Sequence, residues 1–387
     1  MHTLKRIPFI VLLLLICFLP NLSRAQEATI LDFTEVVKAK VIAIESEETK
    51  KIPGTETTAV FQTIQAMLLE GSKKDQIITF VDDFLQLEAG DTFYIRHSID
   101  GGTGRETYVS TDSYRLPTII LFTLIFIVLT VLIGGKQGVR GLLSLSGSLL
   151  LILFVLLPAI IKGYSPTLVT LVVASFIIVA GSYITHGFNK TTTTAVLGML
   201  ITMIFTGIMA YSAVHMGNFT GYGSEESVYI THNSSGEINV LGLLLSGIII
   251  GLLGVLYDAA IGQAIAVEEL HHIAPHVSRR KILHRALRMG REHIGALVDT
   301  LAIAYVGTSL PLLLLFYQSS ISPLLVINQE VIAAEIIRAL VGSIGLILAV
   351  PITTVIAVFM LVKEAPLADA DLIEKEENDL LHVKHHH

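Results

Sequence analysis

Tryptophan is absent from this chain, and cysteine occurs once, at Cys17. Without a second thiol there is no disulfide framework and no thiolate metal site. Without Trp, any aromatic belt at a membrane boundary is made of Tyr and Phe. Charge is scarce as well: Asp, Glu, Lys and Arg make up 15% of the residues, against about 25% in an ordinary soluble domain. That deficit, beside 52% hydrophobic residues, excludes a soluble globular chain and marks an integral membrane protein. The net charge of -7 gives no argument for nucleic acid as a partner.

Residues 1–25 have a basic start (Lys5, Arg6), an apolar run from Ile7 to Leu19, and Ser23-Arg24-Ala25 before Gln26. This is the pattern of a secretory signal cleaved after Ala25, or of a signal anchor retained there. Residues 26–116 turn polar and alternate with period two, as in VVKAKVIAIE, TAVFQTIQAML, QIITFVDDF and DTFYIRHSI. Such runs read as strands. Breaks at Pro53-Gly54, Gly71-Ser72, Gly90-Asp91 and Gly101-Gly102 make a small extracytoplasmic all-β domain, an antiparallel barrel or sandwich. Asp82-Asp83 and His97 read as solvated strand-end residues within it.

Residues 117–363 hold apolar runs at Thr118–Ile133, Leu142–Ile161, Thr167–Ile184, Thr194–Tyr211, Val240–Val267, Ile294–Tyr317 and Leu340–Val362. Their lengths approach the roughly 20 residues that a spanning helix needs. The expected fold is therefore an α-helical polytopic bundle of about seven spans after the leader. Basic residues gather in the loop at 271–293, which holds Arg279, Arg280, Lys281, Arg285, Arg288 and Arg291, while the long loop Met216–Asn239 has none. By the positive-inside rule the N-terminal domain lies outside and the C-terminus in the cytoplasm. The basic loop reads as a short amphipathic helix on the inner membrane face, with Ile282, Leu283, Leu287 and Met289 partly buried. The tail at 364–387 is acidic and ends in three histidines that resemble a tag remnant.

Between Val240 and Val267 the only charged residue is Asp258. Gly247, Gly251, Gly254, Asp258 and Gly262 share one helical face. Small residues let helices approach closely in membranes, so this face is expected to pack on protein. An ionisable group within a span marks an ion path or relay by default. A second acid, Asp299, stands six residues into the next long run, and both lie roughly 9–14 Å inside the same boundary. No Lys or Arg stands at that depth. Two such carboxylates are not cheaply both ionised, so a proton is shared or a cation lies between them. The bland alternative has each acid bonded to a neighbour such as Tyr257, Gln263, Thr300 or Tyr305. Glu335 and Arg338, three apart near the outer end of the last span, read as a snorkelling pair or an outer gate. Glu268, His272 and His276 have metal-like spacing, but Pro275 interrupts the helix that would align them, and no metal is assigned.

Three stretches together resemble the YibE/F family of bacterial multispan proteins: GLLGVLYDAAIGQAIAVEEL at Gly251–Leu270, ALRMGREHIGALVDTLAIAYVGTSLPLLL at Ala286–Leu314, and EIIRALVGSIGLILAVPITTVIA at Glu335–Ala357. The resemblance implies a bacterial cytoplasmic-membrane protein with an exported β domain followed by a bundle; it implies no substrate. More loosely, an acid in one span, a basic segment and a polar residue early in the next are similar to the proton-conducting half of resistance-nodulation-division exporters. The leading functional reading is a translocator coupled to a bound proton or monovalent cation, with Asp258 and Asp299 as the ion site and no other cofactor. The lipid bilayer is its surrounding partner, with a homo-oligomer or a membrane-protein partner compatible with the chain. One alternative is a non-catalytic subunit that recruits a partner through the β domain. The other is an intramembrane aspartyl protease of the presenilin type, from whose GxGD motif Gly295-Ala296-Leu297-Val298-Asp299 departs.

Overall fold

The structure, a computed structural model, describes residues 33–51, 58–234 and 238–363. The expected leader with Cys17, the Pro53-Gly54 break, Glu237 and the acidic tail lie outside the described residues. Two compact units divide at Leu129, and each is described by itself.

In the first unit β1 (Phe33–Lys51), β2 (Thr58–Leu68), β3 (Ile77–Asp82), β4 (Thr92–Ile99) and β5 (Glu106–Ser113) form one sheet in the order β3-β2-β1-β4-β5. Every pairing is antiparallel. A fourth strand returning beside the first is the Greek-key arrangement. The long β1 pairs with β4 through Phe33–Lys40 and with β2 through Ala39–Lys51, with register shifts at Val41/Ala43 and Ile44/Ser46. Bulges of this kind bend a strand, which lets one strand serve two neighbours on a curved sheet. Alternate residues turn inward, so that Val37, Ala39, Ile64, Ala66, Leu68, Phe93 and Ile95 are buried.

Asp82 and His97 are not the solvated strand-end residues expected. Asp82 is 1% and His97 0% exposed. The Asp82 carboxylate accepts the backbone N–H groups of Leu85 at 2.9 Å and Gln86 at 3.1 Å, and the hydroxyl of Ser110. It thereby ties the end of β3 to β5 and curls the sheet into a half-barrel.

The second unit is helical. An apolar segment, Leu116–Ile161, of which the part up to Leu129 belongs to the first unit, runs through α1 (Leu116–Leu151), a π-helical turn at Ile152–Leu156 and α2 (Leu157–Ile161). Gly135 breaks it with φ 53 and ψ -135, a conformation that only glycine adopts cheaply. A Cβ at Gly138 would lie 2.1 Å from the Thr130 carbonyl oxygen, whereas residues eight apart in a straight helix are about 12 Å apart. The chain therefore doubles back at Gly134-Gly135, between the two apolar runs read there from the sequence.

Four more long helices follow: α3 (Pro166–His186), α4 (Lys190–Met216), α6 (Val240–Ile273) after the short α5 (Glu225–Asn233), and α7 (Arg279–Thr308). Asn189 caps α4 by accepting from the N–H of Thr192, and Asn239 caps α6 through Gly242. Such caps satisfy N–H groups that the helix leaves open. The chain then bends by 64° into α8 (Leu310–Tyr317), passes α9 (Pro323–Asn328) and ends in α10 (Glu330–Leu361). The bend precedes Pro311, as proline disfavours helical geometry in the residue before it. Among the described residues, five helices are long and apolar enough to cross a membrane, or six with α7 and α8 counted as one bent span.

The basic stretch differs from the short surface helix expected. Its residues from Arg279 onward are the first half of α7, unbroken through Thr308. Ile282, Ala286 and Gly290 are buried, and the first two join Val267, Ala357, Val358 and Val362 in one cluster. Leu283 and Leu287 are half-buried, whereas Met289 is exposed. At the start of α7, Arg279 Nε donates to the Val362 carbonyl at 2.9 Å, a cation placed at the negative end of α10.

The main core joins α3, α4, α6 and α10 through Ile178, Met199, Met203, Leu252, Leu256, Ala260, Leu346 and Ala349. Hydroxyls run through it: Thr202, Thr206, Thr353 and Thr354 are buried. Thr202 and Thr206 donate to carbonyls one turn back on α4. Such backbone-satisfied threonines allow close approach without stranding a polar group.

Candidate functional site

The centre of interest is α6. Its buried face carries Leu245, Ile248, Ile249, Leu252, Leu256, Ala259, Ala260, Gln263 and Val267. The stripe Gly247, Gly251, Gly254, Asp258 and Gly262 lies on the other side, and all five residues are exposed. The expectation of a stripe sealed by close packing thus meets an open face. Side chains reach only its Val240 end. Arg338 Nη2 of α10 is 3.8 Å from where Gly247 would carry a Cβ, and the Tyr305 hydroxyl of α7 is 2.7 Å from the same point on Gly251. Beside Gly254 and Gly262 nothing lies within 4 Å. Gly251 leaves room for the Tyr305 head, whereas Gly247 would meet Arg338 only at ordinary contact, and the stripe beyond borders open space.

Asp258 sits in the open part. Neither it nor Asp299 forms a hydrogen bond or ion pair among the described residues, and both are exposed. Asp299 lies away from the packed face of α7, where Ala286, Gly290 and Leu301 are buried. It precedes Tyr305 by six residues, which is about 9 Å along the helix and about 120° around it. Asp299 is therefore offset around α7 from the side chain that meets the Asp258 stripe.

The polar residues expected to support them are engaged elsewhere. Tyr257 donates to the Gly181 carbonyl of α3 at 3.4 Å and its ring lies beside that of His186. Gln263 Oε1 accepts from the Thr354 hydroxyl at 2.9 Å, joining α6 to α10. Thr300 donates to Ala296 within its own helix. Tyr305 alone of these four reaches the Asp258 stripe from another helix among the described residues, its hydroxyl meeting Gly251. Glu335 Oε1 and Arg338 Nη1 are 3.1 Å apart, each side chain 27% accessible. Arg338 Nε is buried and has no hydrogen-bond partner among the described residues. The helix α6 ends at Ile273, so His276 is off the helix that carries Glu268 and His272.

Two features escaped the sequence reading. One is Glu330, whose carboxylate accepts the N–H groups of Thr220 at 3.0 Å and Gly221 at 2.6 Å and the Thr220 hydroxyl at 2.7 Å. It pins the 217–224 loop to the start of α10. The other is a cluster in the β unit. His97 is placed with Nδ1 3.3 Å from Glu35 and Nε2 3.5 Å from Glu106, beneath a Tyr108 ring stacked at 4.7 Å. The Ser72 hydroxyl bonds Glu35, and Lys73 pairs with Glu106. These bonds hold both carboxyls below their ordinary range: Glu35 first through Ser72, Glu106 first through Lys73 and then Tyr108. A glutamate ahead of an apolar helix and a period-two histidine are the sequence signals, and neither singles out its distant partner.

No curated protein and no solved structure matches the chain significantly. A family model described as YibE/F-like protein matches residues 122–363, which takes in α3 through α10, the Asp258 stripe and both of its flanking side chains. With that match covering more than half of its length, the chain belongs to the YibE/F-like family of membrane proteins.

Proposed function

We propose that this protein is a proton- or cation-coupled translocator in which Asp258 carries the ion and Tyr305, Arg338 and Glu335 close one end of its path. The observation that carries the reading is the uncovered α6 stripe, with Asp258 along it and Tyr305 and Arg338 against its Val240 end. From Gly251 to Asp258 is about 10 Å along the helix, and from Gly247 about 16 Å. A carboxylate at that depth is not left to hydrocarbon, so the open face is wetted and the acid holds a proton or a cation. Asp299 joins the same ion only if α7 turns by about a third of a revolution. That offset weighs against a protease, which needs two aspartates on one water.

The topology belongs to the same reading. The break at Gly135 separates two crossing arms, and α7 with α8 is one bent span, which brings the five apolar helices to seven. The β unit then lies outside and the arginines of α7 inside.

The test is a melting series of the detergent-purified chain across pH and across Na+, K+, Li+, Mg2+ and Ca2+, for wild type and Asp258→Asn. Proton uptake into dye-loaded proteoliposomes is followed in parallel. A ligand specific to the folded state stabilises it by about 2.7 kcal/mol at a hundredfold excess over Kd. Ion- or pH-specific stabilisation and flux that vanish in Asp258→Asn are expected. Identical ion responses and flux in the two proteins would reject the role of Asp258.

A further inference from the structure

The guanidinium of Arg338 has two usable edges. Glu335 engages Nη1. On the opposite edge, formed by Nε and Nη2, Nη2 lies beside Gly247 of α6. Nε is buried there and unpartnered among the described residues. One helical turn further along α6, about 6 Å away, the Tyr305 hydroxyl stands over Gly251 and also has no hydrogen-bond partner among the described residues. A guanidinium edge is a rigid two-pronged donor matched to the two oxygens of a carboxylate or phosphate. A phenol hydroxyl beside it adds a third donor. Gly247 and Gly251 are exposed, so Nη2 and the Tyr305 hydroxyl border the groove, while Nε is a buried donor left for a ligand to satisfy.

We infer that this cleft is an oxyanion site, which takes the carboxylate or phosphoryl group of a small soluble solute through Arg338 Nε and Nη2 and the Tyr305 hydroxyl. The inference rests on reading the α6 stripe as a path and gives that path its substrate class. A membrane lipid offers the same phosphate chemistry. The place of the fork favours a solute: its Nη2 lies beside Gly247 of a neighbouring helix, whereas an arginine that serves a headgroup extends along its helix toward the interface. Because Glu335 already neutralises Arg338, an arriving anion brings uncompensated negative charge. A cation or proton entering with it offsets that charge, which is the reason for coupling to Asp258.

The experiment uses the full chain in detergent, melted in sodium acetate, succinate, phosphate or sulfate against sodium chloride at equal sodium and ionic strength. A saturable rise in melting temperature with at least one of these probes is expected. Arg338→Lys keeps the charge and the reach to Glu335 but loses the fork, and weakens the apparent affinity by roughly tenfold or more. Tyr305→Phe removes one oxygen and weakens it by several-fold. If Arg338→Lys does not fold, Tyr305→Phe decides alone. No saturable response to any probe, or one equal in the variants, overturns the oxyanion site. So does a stabilisation that appears only with added phosphatidylglycerol vesicles, which assigns the fork to lipid. The cation series on Asp258 is read separately: intact cation dependence without anion binding removes this inference and leaves the translocator, whereas a flat cation response removes the translocator itself.

Discussion

The contact between α7 and the rest of the bundle narrows at Gly290, and it can be probed by a steric exchange. A methyl there would lie 2.5 Å from Val350 Cγ1 and 2.8 Å from Gln263 Nε2, against 3.4–4 Å for ordinary contact. Overpacking of this kind costs about 1–3 kcal/mol. Replacing a helical glycine by alanine returns about 1 kcal/mol in propensity, so Gly290→Ala should lose about 1 kcal/mol net. Val350 is 2% exposed, and Val350→Ala removes two packed methyl groups at a cost of about 1–3 kcal/mol. In the double variant the new methyl fills part of the space the valine vacates. The two changes should then couple favourably by about 1–2 kcal/mol. With roughly 2–4 °C per kcal/mol for a unit of this size, the double variant should melt about 2–8 °C above the sum of the single effects. The absence of Trp rules out an indole signal, so the melt is followed by far-ultraviolet circular dichroism in detergent. Strictly additive losses would show that Gly290 and Val350 do not share this contact, and the placement of α7 would have to be abandoned.

Two further outcomes are expected. In the β unit, Glu35 and Glu106 are held below their ordinary pKa; a lowered folded value means stability present at neutral pH and lost as pH falls through that value. Hydrogen exchange of residues 70–76, corrected for intrinsic rates, should accelerate on acidification in the wild type and respond much less in Glu35→Gln or Glu106→Gln. An unchanged profile would contradict the assignment. On the helical side, Glu330→Ala removes the oxygen that accepts the N–H groups of both Thr220 and Gly221. The exchange of those two amides should rise roughly tenfold while α10 itself stays protected; equal exchange would sever Glu330 from that loop.

How far the fold could be read in advance depended on which forces set each element. Alternation in the β segment reports inside and outside directly, and the breaks at Gly71 and Gly90 mark true turns. Asp82 and His97 misled because a polar residue at a strand end reads as solvated unless its partners are known, and theirs come from β1, β5 and the turn after β3. The Asp258 stripe was legible as a face by spacing alone. Its surroundings were not, since glycines serve close packing and open grooves equally well. The basic run of α7 looked like a separate surface helix because its charge ends near His293, yet GREHIGALV holds no proline and its two glycines weaken the helix without ending it. Asp299 shows the complementary limit: depth follows from counting residues, whereas facing depends on how the helix is turned about its axis.

The continuity of α7 has a mechanical meaning. Thirty residues make a rod about 45 Å long, tethered at one end by Arg279 to the last carbonyls of α10 and carrying the Tyr305 hydroxyl near the other. Gly290, where the rod lies tightest against its neighbours, is the natural fulcrum. The arm from there to Tyr305 is about 22 Å, so a tilt of about 5° would sweep the hydroxyl by about 2 Å. That is enough to lift it off Gly251. Between the fulcrum and Tyr305 the rod is still engaged, by Ile294, Leu297 and Val298 against the main core and by Leu301 beside Gly342, so a disturbance at its basic end would reach the far mouth of the groove only by shifting these contacts together.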